Sequence, residues 1–270
     1  MPDPQLRLRT ITGLTIGAIV IFTTLNTVVG TMVLILAVAG RSAFEFFRMQ
    51  QHSTWSSIAL RLTLCILPIV VSGIVLLYWT DFYLHPVIFP AALGAFGMLV
   101  FVSQLRAPAE RIPHRLMTFG LSLILFTVPG ICALYLADAT PVLILGIFVM
   151  QWSGDVFAYF GGRYFGRVKL APAISPNKTC EGFFAGSIAT AIAAWILSLI
   201  LPEVNLMHWC VMAVLVVIFG TAGDLLQSAM KRAAGVKDSG GFLPGHGGVW
   251  DRFDSFLGCV SWIALYYFLL

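Results

Sequence analysis

The chain has 270 residues, of which 59% are hydrophobic and 10% charged, and its mean hydropathy of +0.92 excludes a soluble globular domain. Its composition predicts an all-α, polytopic integral membrane protein. The formal net charge of +4 reflects loop topology and anionic lipid headgroups, not a nucleic-acid partner.

Apolar runs predict about nine transmembrane helices: 10–26, 29–47, 58–79, 86–105, 116–136, 141–160, 182–201, 207–226 and 253–270. The first two are separated only by a turn near Asn26, so eight spans is the alternative. The basic start, MPDPQLRLRT, shows no short apolar stretch with a cleavage site, and it is expected to be retained as part of the first span. Charge decides for nine. With a cytoplasmic N-terminus, all 16 cations fall on inner connections or the adjoining ends of spans: Arg7, Arg9, Arg41, Arg48, Arg61, Arg106, Arg111, Arg115, Arg163, Arg167, Lys169, Lys178, Lys231, Arg232, Lys237 and Arg252. The outer connections hold Asp81, His85, Asp138 and Glu203, and the C-terminus falls on the outer side of the cytoplasmic membrane. Residues 1–140 read as a scaffold of about five spans. Residues 141–270 read as the catalytic region, with cytoplasmic loops 161–181 and 227–252.

Cys65, Cys132, Cys180, Cys210 and Cys259 have no C-x-x-C spacing and read as small apolar core residues. Arg61 reads as a snorkelling side chain.

Chemistry concentrates in a few places. Gly235, Gly240, Gly241, Gly245, Gly247 and Gly248 let backbone N–H groups approach an anion, with Lys231, Arg232 and Lys237 beside them, although a flexible positive-inside loop would look similar. Asp224, Asp251 and Asp254 converge from adjoining helices as a hard, oxygen-only set suited to Mg²⁺. Helix capping by Asp251 or Asp254, and an ion pair from Asp224 to Lys231 or Arg232, are the alternatives. Asp155 leads into Tyr159, Gly162 and Arg163; Ser175, Asn177, Lys178, Thr179 and Glu181 precede the seventh span, where Lys178 and Thr179 suit a phosphate and Ser175 or Glu181 suits a helix start.

These residues resemble the phosphatidate cytidylyltransferase, or CDP-diacylglycerol synthase, family. Its signature S-x-x-K-R-x4-K-D-x-G-x2-L-P-x-H-G-G-x2-D-R-x-D is met by Ser228, Lys231, Arg232, Lys237, Asp238, Gly240, Leu243, Pro244, His246, Gly247, Gly248, Asp251, Arg252 and Asp254. The patterns D-x2-A-Y-x2-G-R-x-F-G-[KR] and S-P-x-K-T-x-E-G occur from Asp155 to Arg167 and from Ser175 to Gly182; Asn177 stands where relatives often carry a basic residue. The resemblance implies the reaction CTP + phosphatidate → CDP-diacylglycerol + pyrophosphate. It implies Mg²⁺, alone or with a second cation, on Asp224, Asp251 and Asp254. Asp224, Asp251, Lys231, Arg232 and His246 are implied as catalytic, His246 as a hydrogen-bond partner rather than a base. Substrate contacts are implied for Asp155, Ser175, Asn177, Lys178, Thr179, Lys237, Asp238, Gly247, Gly248 and Arg252, with the 245–248 backbone donating to phosphate. The partners are CTP, phosphatidate and membrane lipid, and the oligomeric state, monomer or homodimer, is left open. Rival readings are a CTP-dependent polyprenol or phytol kinase, which transfers the γ-phosphoryl group, and a cation-coupled transporter using Asp155 and Asp224. A Walker motif and the D-G-x2-A-R motif of CDP-alcohol phosphotransferases are both missing.

Overall fold

Apolar run length predicts helices, and helices dominate the computed structural model, which describes residues 4–26, 28–50, 55–78 and 112–269. The expected span 86–105 lies outside these residues. Helices α1 (Pro4–Asn26) and α2 (Val28–Met49) are separate, as the predicted turn near Asn26 requires, and Thr31 Oγ1 of α2 donates to the Thr23 carbonyl of α1 at 3.1 Å. Helix α3 is Trp55–Tyr78. Helix α4 (Ile112–Ser122) runs through a π-helical turn (Leu123–Thr127) into α5 (Val128–Ala139). Pro129 has no N–H to give the preceding turn, which accounts for the wider winding there.

After Thr140, Pro141 opens α6 (Pro141–Phe165), its preset φ and missing donor suiting a first helical position. Strands β1 (Lys169–Ala171) and β2 (Ser175–Thr179) form an antiparallel hairpin with Lys169 opposite Thr179 and Ala171 opposite Ser175. Then come α7 (Cys180–Ile200), α8 (Leu206–Leu215), a second π-helical turn (Val216–Gly220), α9 (Thr221–Ala233) and α10 (Trp250–Phe268). Among the described residues six helical runs are long and apolar enough to cross a membrane. The chain is therefore an all-α, multi-pass membrane protein.

Two of the expected loops are shorter than the hydropathy suggested. The region 161–181 is largely taken up by the end of α6 and by the hairpin. The region 227–252 begins as helix, because Gln227, Ser228 and Lys231 form a buried polar face from which Gln227 and Lys231 reach Asp251 of α10, and α9 continues to Ala233. Gly235, at φ +71°, lets the chain leave the helix, with Val236 N–H closing on the Lys231 carbonyl at 2.9 Å.

Inside a bilayer, helices gain little by hiding apolar surface from lipid, so close packing decides which of them associate. Helices α6 and α7 meet through glycines: a Cβ on Gly186 would stand 2.7 Å from the Gly154 carbonyl, and one on Gly182 2.7 Å from the Ala158 carbonyl. Aromatic rings join the two halves of the chain. Trp250 at the start of α10 stands edge-on to Phe46 of α2 at 5.7 Å and to Phe126 of the first π turn at 5.2 Å; such pairs contribute about 0.5–1.5 kcal/mol each beyond burial. All five cysteines are free. Arg61 does not snorkel; it is buried with its guanidinium 5.9 Å from the Phe47 ring centre.

Candidate active site

The hairpin closes one end of the α6–α7 pair. Thr179 caps α7 by accepting from Gly182 N–H at 3.1 Å, and Glu181 accepts from Val168 N–H at 3.2 Å, tying the hairpin's first strand to the helix start. Ser175, offered by the sequence as a helix opener, lies instead in β2. This geometry turns β2 toward α9 and leaves a cavity of about 520 Å³ bounded by α6, the hairpin, α7, the second π turn and α9. Six sequence-predicted residues line it: Asp155, Ser175, Asn177, Lys178, Thr179 and Asp224. Its remaining wall mixes apolar residues, among them Ala158, Phe183, Val216 and Val217, with polar ones, among them Gln151, Tyr159, Arg163 and Thr190.

The electrostatics of this cavity centre on Asp224. Lys178 Nζ donates to its Oδ2, and Ser228 Oγ donates to its Oδ1 at 3.3 Å. Asp155 and Asp254 lie within electrostatic reach of Asp224 and of Lys178, and Arg252 within reach of Asp155. The ion-pair alternative foreseen for Asp224 is realised with a different cation: Lys178, not Lys231 or Arg232.

Two turns along the same face of α9, Lys231 does for Asp251 what Lys178 does for Asp224. Its Nζ donates to Asp251 Oδ1 at 2.7 Å, and Gln227 Nε2 donates to the same oxygen at 2.9 Å. The other oxygen, Oδ2, accepts from Ser239 N–H and Gly248 N–H, both at 2.9 Å. Burial works to raise the Asp251 pKa, but the Lys231 hydrogen bond and these two backbone donors outweigh it and hold the carboxyl below its ordinary value. The pair is also better covered, with side chains 11% and 6% exposed against 31% and 26% for Lys178 and Asp224.

Several expectations are corrected by this geometry. The three aspartates 224, 251 and 254 do not form one cluster: among the described residues no group of three His, Cys, Asp or Glu side chains stands together as a metal centre. Asp251 faces Lys231, while Asp224 and Asp254 share the field of Asp155. Two of the four N–H groups of 245–248 are already engaged, Gly248 N–H by Asp251 and His246 N–H by the Leu243 carbonyl, each at 2.9 Å. Gly248 is buried, and Gly247, at φ +82°, turns the chain so that its carbonyl accepts from Leu243 N–H. His246 does not line the cavity; its ring lies beside Gly13 of α1. Arg252 donates from Nε to the His246 carbonyl at 3.0 Å, and Arg232 donates to the Val236 carbonyl at 3.0 Å and toward that of Ile174. Both therefore brace loops. Lys237 and Asp238 sit exposed on the turn after α9 and do not line the cavity.

One residue of this assembly was not singled out from the sequence. Glu45 on α2 is 1% exposed, and its carboxylate accepts from Ser239 Oγ at 2.7 Å and from Val249 and Trp250 N–H at 3.0 Å each. The available signal was an acid within the apolar span 29–47.

A profile of the cytidylyltransferase family matches residues 7–270. The chain belongs to that family. It is 50% identical over 116 residues to a phosphatidate cytidylyltransferase of Staphylococcus haemolyticus, covering 42% of this chain and 44% of the relative. It is 47% identical over 124 residues to the protein of the same name in Bacillus subtilis, 45% of each chain, and 39% identical over 133 residues to that of Haemophilus influenzae, 47% of this chain and 46% of the relative. These matches span less than half the length of each relative.

Proposed function

We propose that this protein transfers a cytidylyl group from CTP to phosphatidate within the cytoplasmic membrane, releasing pyrophosphate and leaving CDP-diacylglycerol in the bilayer. The observation that carries this reading is the cavity in which Asp224, Asp155, Lys178 and Asn177 meet at the hairpin ends of α6 and α7. Joining a membrane-dissolved phosphomonoester to a water-soluble nucleotide needs such a place. Exposed Val156, Phe157 and Phe160 on α6 present a lipid-facing surface next to the cavity, while the hairpin and the turn after α9 carry the cations assigned to the cytoplasm. The names of the relatives support the same chemistry.

In this reading an oxygen of the phosphatidate phosphate attacks the α-phosphorus of CTP, and the bond to the bridging oxygen of pyrophosphate breaks. The phosphate nucleophile is already ionised near neutral pH, which agrees with a cavity that His246 does not line. Lys178 provides a point charge for phosphate oxygens, with Asn177, Ser175 and Thr179 beside it as neutral partners.

The donor set fits a hard cation. Mg²⁺ commonly takes one or two carboxylates and fills its shell with water and substrate phosphates. Asp224 and Asp251 each have one oxygen held by protein donors and the other occupied by a lysine ammonium. Asp224 and Asp251 would each offer a carboxylate to a cation, with Asp254 as a neighbouring acid. When bound, Mg²⁺ would neutralise phosphate repulsion and the charge that develops on the leaving pyrophosphate. The distribution of cations along the sequence supports a cytoplasmic N-terminus and an outer C-terminus.

The test is conversion of vesicle-borne phosphatidate and CTP by the purified protein, with magnesium and with chelator. CDP-diacylglycerol formed only with magnesium is expected; no CDP-lipid under any condition removes the reading.

A further inference from the structure

The motif-bearing residues all lie after position 150, yet the most buried acid against them comes from the first half of the chain. Glu45 sits on α2, and its carboxylate collects the N–H groups of Val249 and Trp250 and the hydroxyl of Ser239. Helix α10 has no cap from its own N-cap side chain at Val249, so an acid from another helix satisfies its leading donors and stands at the positive end of its dipole. Ser239 continues the connection. Its backbone N–H is 2.9 Å and its hydroxyl 3.1 Å from Asp251 Oδ2, the oxygen opposite the one that Lys231 holds.

The fit leaves no slack. A Cβ on Gly248 would collide with both Ser239 Oγ and Glu45 Oε2, and one on Gly240 would lie 3.1 Å from Glu45 Oε1. Phe46, the next residue on α2, fixes the Trp250 ring at 5.7 Å. Arg41 completes the arrangement one turn earlier, 3.2 Å from Glu45 Oε1 and with its guanidinium 4.4 Å from the Phe242 ring centre.

We propose that Glu45 is a positioning residue for cation binding at Asp251, acting through Ser239 and the N-terminus of α10. This rests on the assignment of a cation to Asp251 made above. Partners behind a metal ligand orient it, and their loss typically weakens metal binding or activity by roughly 10- to 100-fold.

The experiment compares wild type, Glu45→Gln, Glu45→Asp and Ser239→Ala, purified in detergent, by amide hydrogen exchange over residues 239–252 across a magnesium titration. It also measures the magnesium concentration for half-maximal turnover and the KM for CTP. Glu45→Gln is expected to speed exchange across 239–252 with α7 unchanged, and to raise half-saturating magnesium roughly 10-fold or more while KM for CTP stays at the wild-type value. Ser239→Ala, which keeps both backbone donors of α10 on Glu45, should shift magnesium in the same direction by less, and Glu45→Asp should recover part of the loss. Wild-type exchange in Glu45→Gln, or unchanged magnesium dependence in both Glu45→Gln and Ser239→Ala, overturns the proposal. If Glu45→Gln does not fold, Ser239→Ala decides. Should wild type make no CDP-lipid, the transfer reading falls separately, and magnesium-dependent protection of 239–252 still decides the role of Glu45 without substrate.

Discussion

Lys231 Nζ stands 2.7 Å from Asp251 Oδ1 in a largely buried pair, and two turns earlier on α9 Asp224 makes the equivalent contact with Lys178 of β2 at the cavity wall. The two pairs differ in what surrounds them, and that difference sets their expected responses to substitution.

Lys178→Ala removes a partly exposed cation whose pairing contributes little to stability, of order 0.2–1 kcal/mol. If Lys178 grips substrate phosphate, the loss falls on function: a charge-assisted contact is worth about 1.5–3 kcal/mol, roughly a 10- to 150-fold drop in turnover or CTP affinity. Steady-state kinetics of Lys178→Ala and Lys178→Gln check this. Wild-type constants for both would reduce Lys178 to a topology signal.

Lys231→Ala strands Asp251 in a covered site, and breaking such a pair costs about 3–5 kcal/mol. The thermal midpoint in detergent should therefore fall well below that of Lys178→Ala. Because the Asp251 carboxyl is held below its ordinary value, its contribution to stability is complete above the unfolded value, about 3.9, and is lost as pH falls through the lower folded one. Lys231→Ala should flatten that acid limb; an identical limb in wild type and variant would speak against the pair.

Gly248→Ala places a methyl group where Ser239 Oγ and Glu45 Oε2 already lie. Overpacking of this kind costs about 1–3 kcal/mol. Reduced stability together with reduced activity is expected, measured by thermal unfolding and turnover, whereas Gly241→Ala, with open space at its Cβ, should leave the thermal midpoint unchanged.

Topology is tested by single cysteines in a chain lacking its own five. Positions 170 on the hairpin and 236 after α9 should react with impermeant reagent from the cytoplasmic side, and the exposed position 203 from the other. Labelling of 170 and 203 from one side would overturn the proposed orientation.

Much of this was legible in the sequence because the information is local. Apolar run length gives helices, and it separated α1 from α2 near Asn26. Acids such as Asp155 and Asp224 are too costly in apolar spans to be idle, and both line the cavity. What escaped is non-local. Which lysine meets Asp224 depends on the hairpin folding back 46 residues earlier, and Glu45 meets Trp250 across 205 residues. Spacing along a chain does not encode such pairings. In the glycine loop, too, spacing does not show which donors the fold uses: Asp251 and the Leu243 carbonyl take Gly248 and His246 N–H.

Nucleotidyl transfer is separated from phosphoryl transfer most directly by following the label from CTP carrying it at the α or the γ phosphorus, with phosphatidate vesicles and magnesium. Nucleotidyl transfer leaves α label in the lipid product and γ label in released pyrophosphate, with both lost in Asp224→Asn. Label from the γ position in the lipid, or full activity of Asp224→Asn at saturating magnesium, would contradict it.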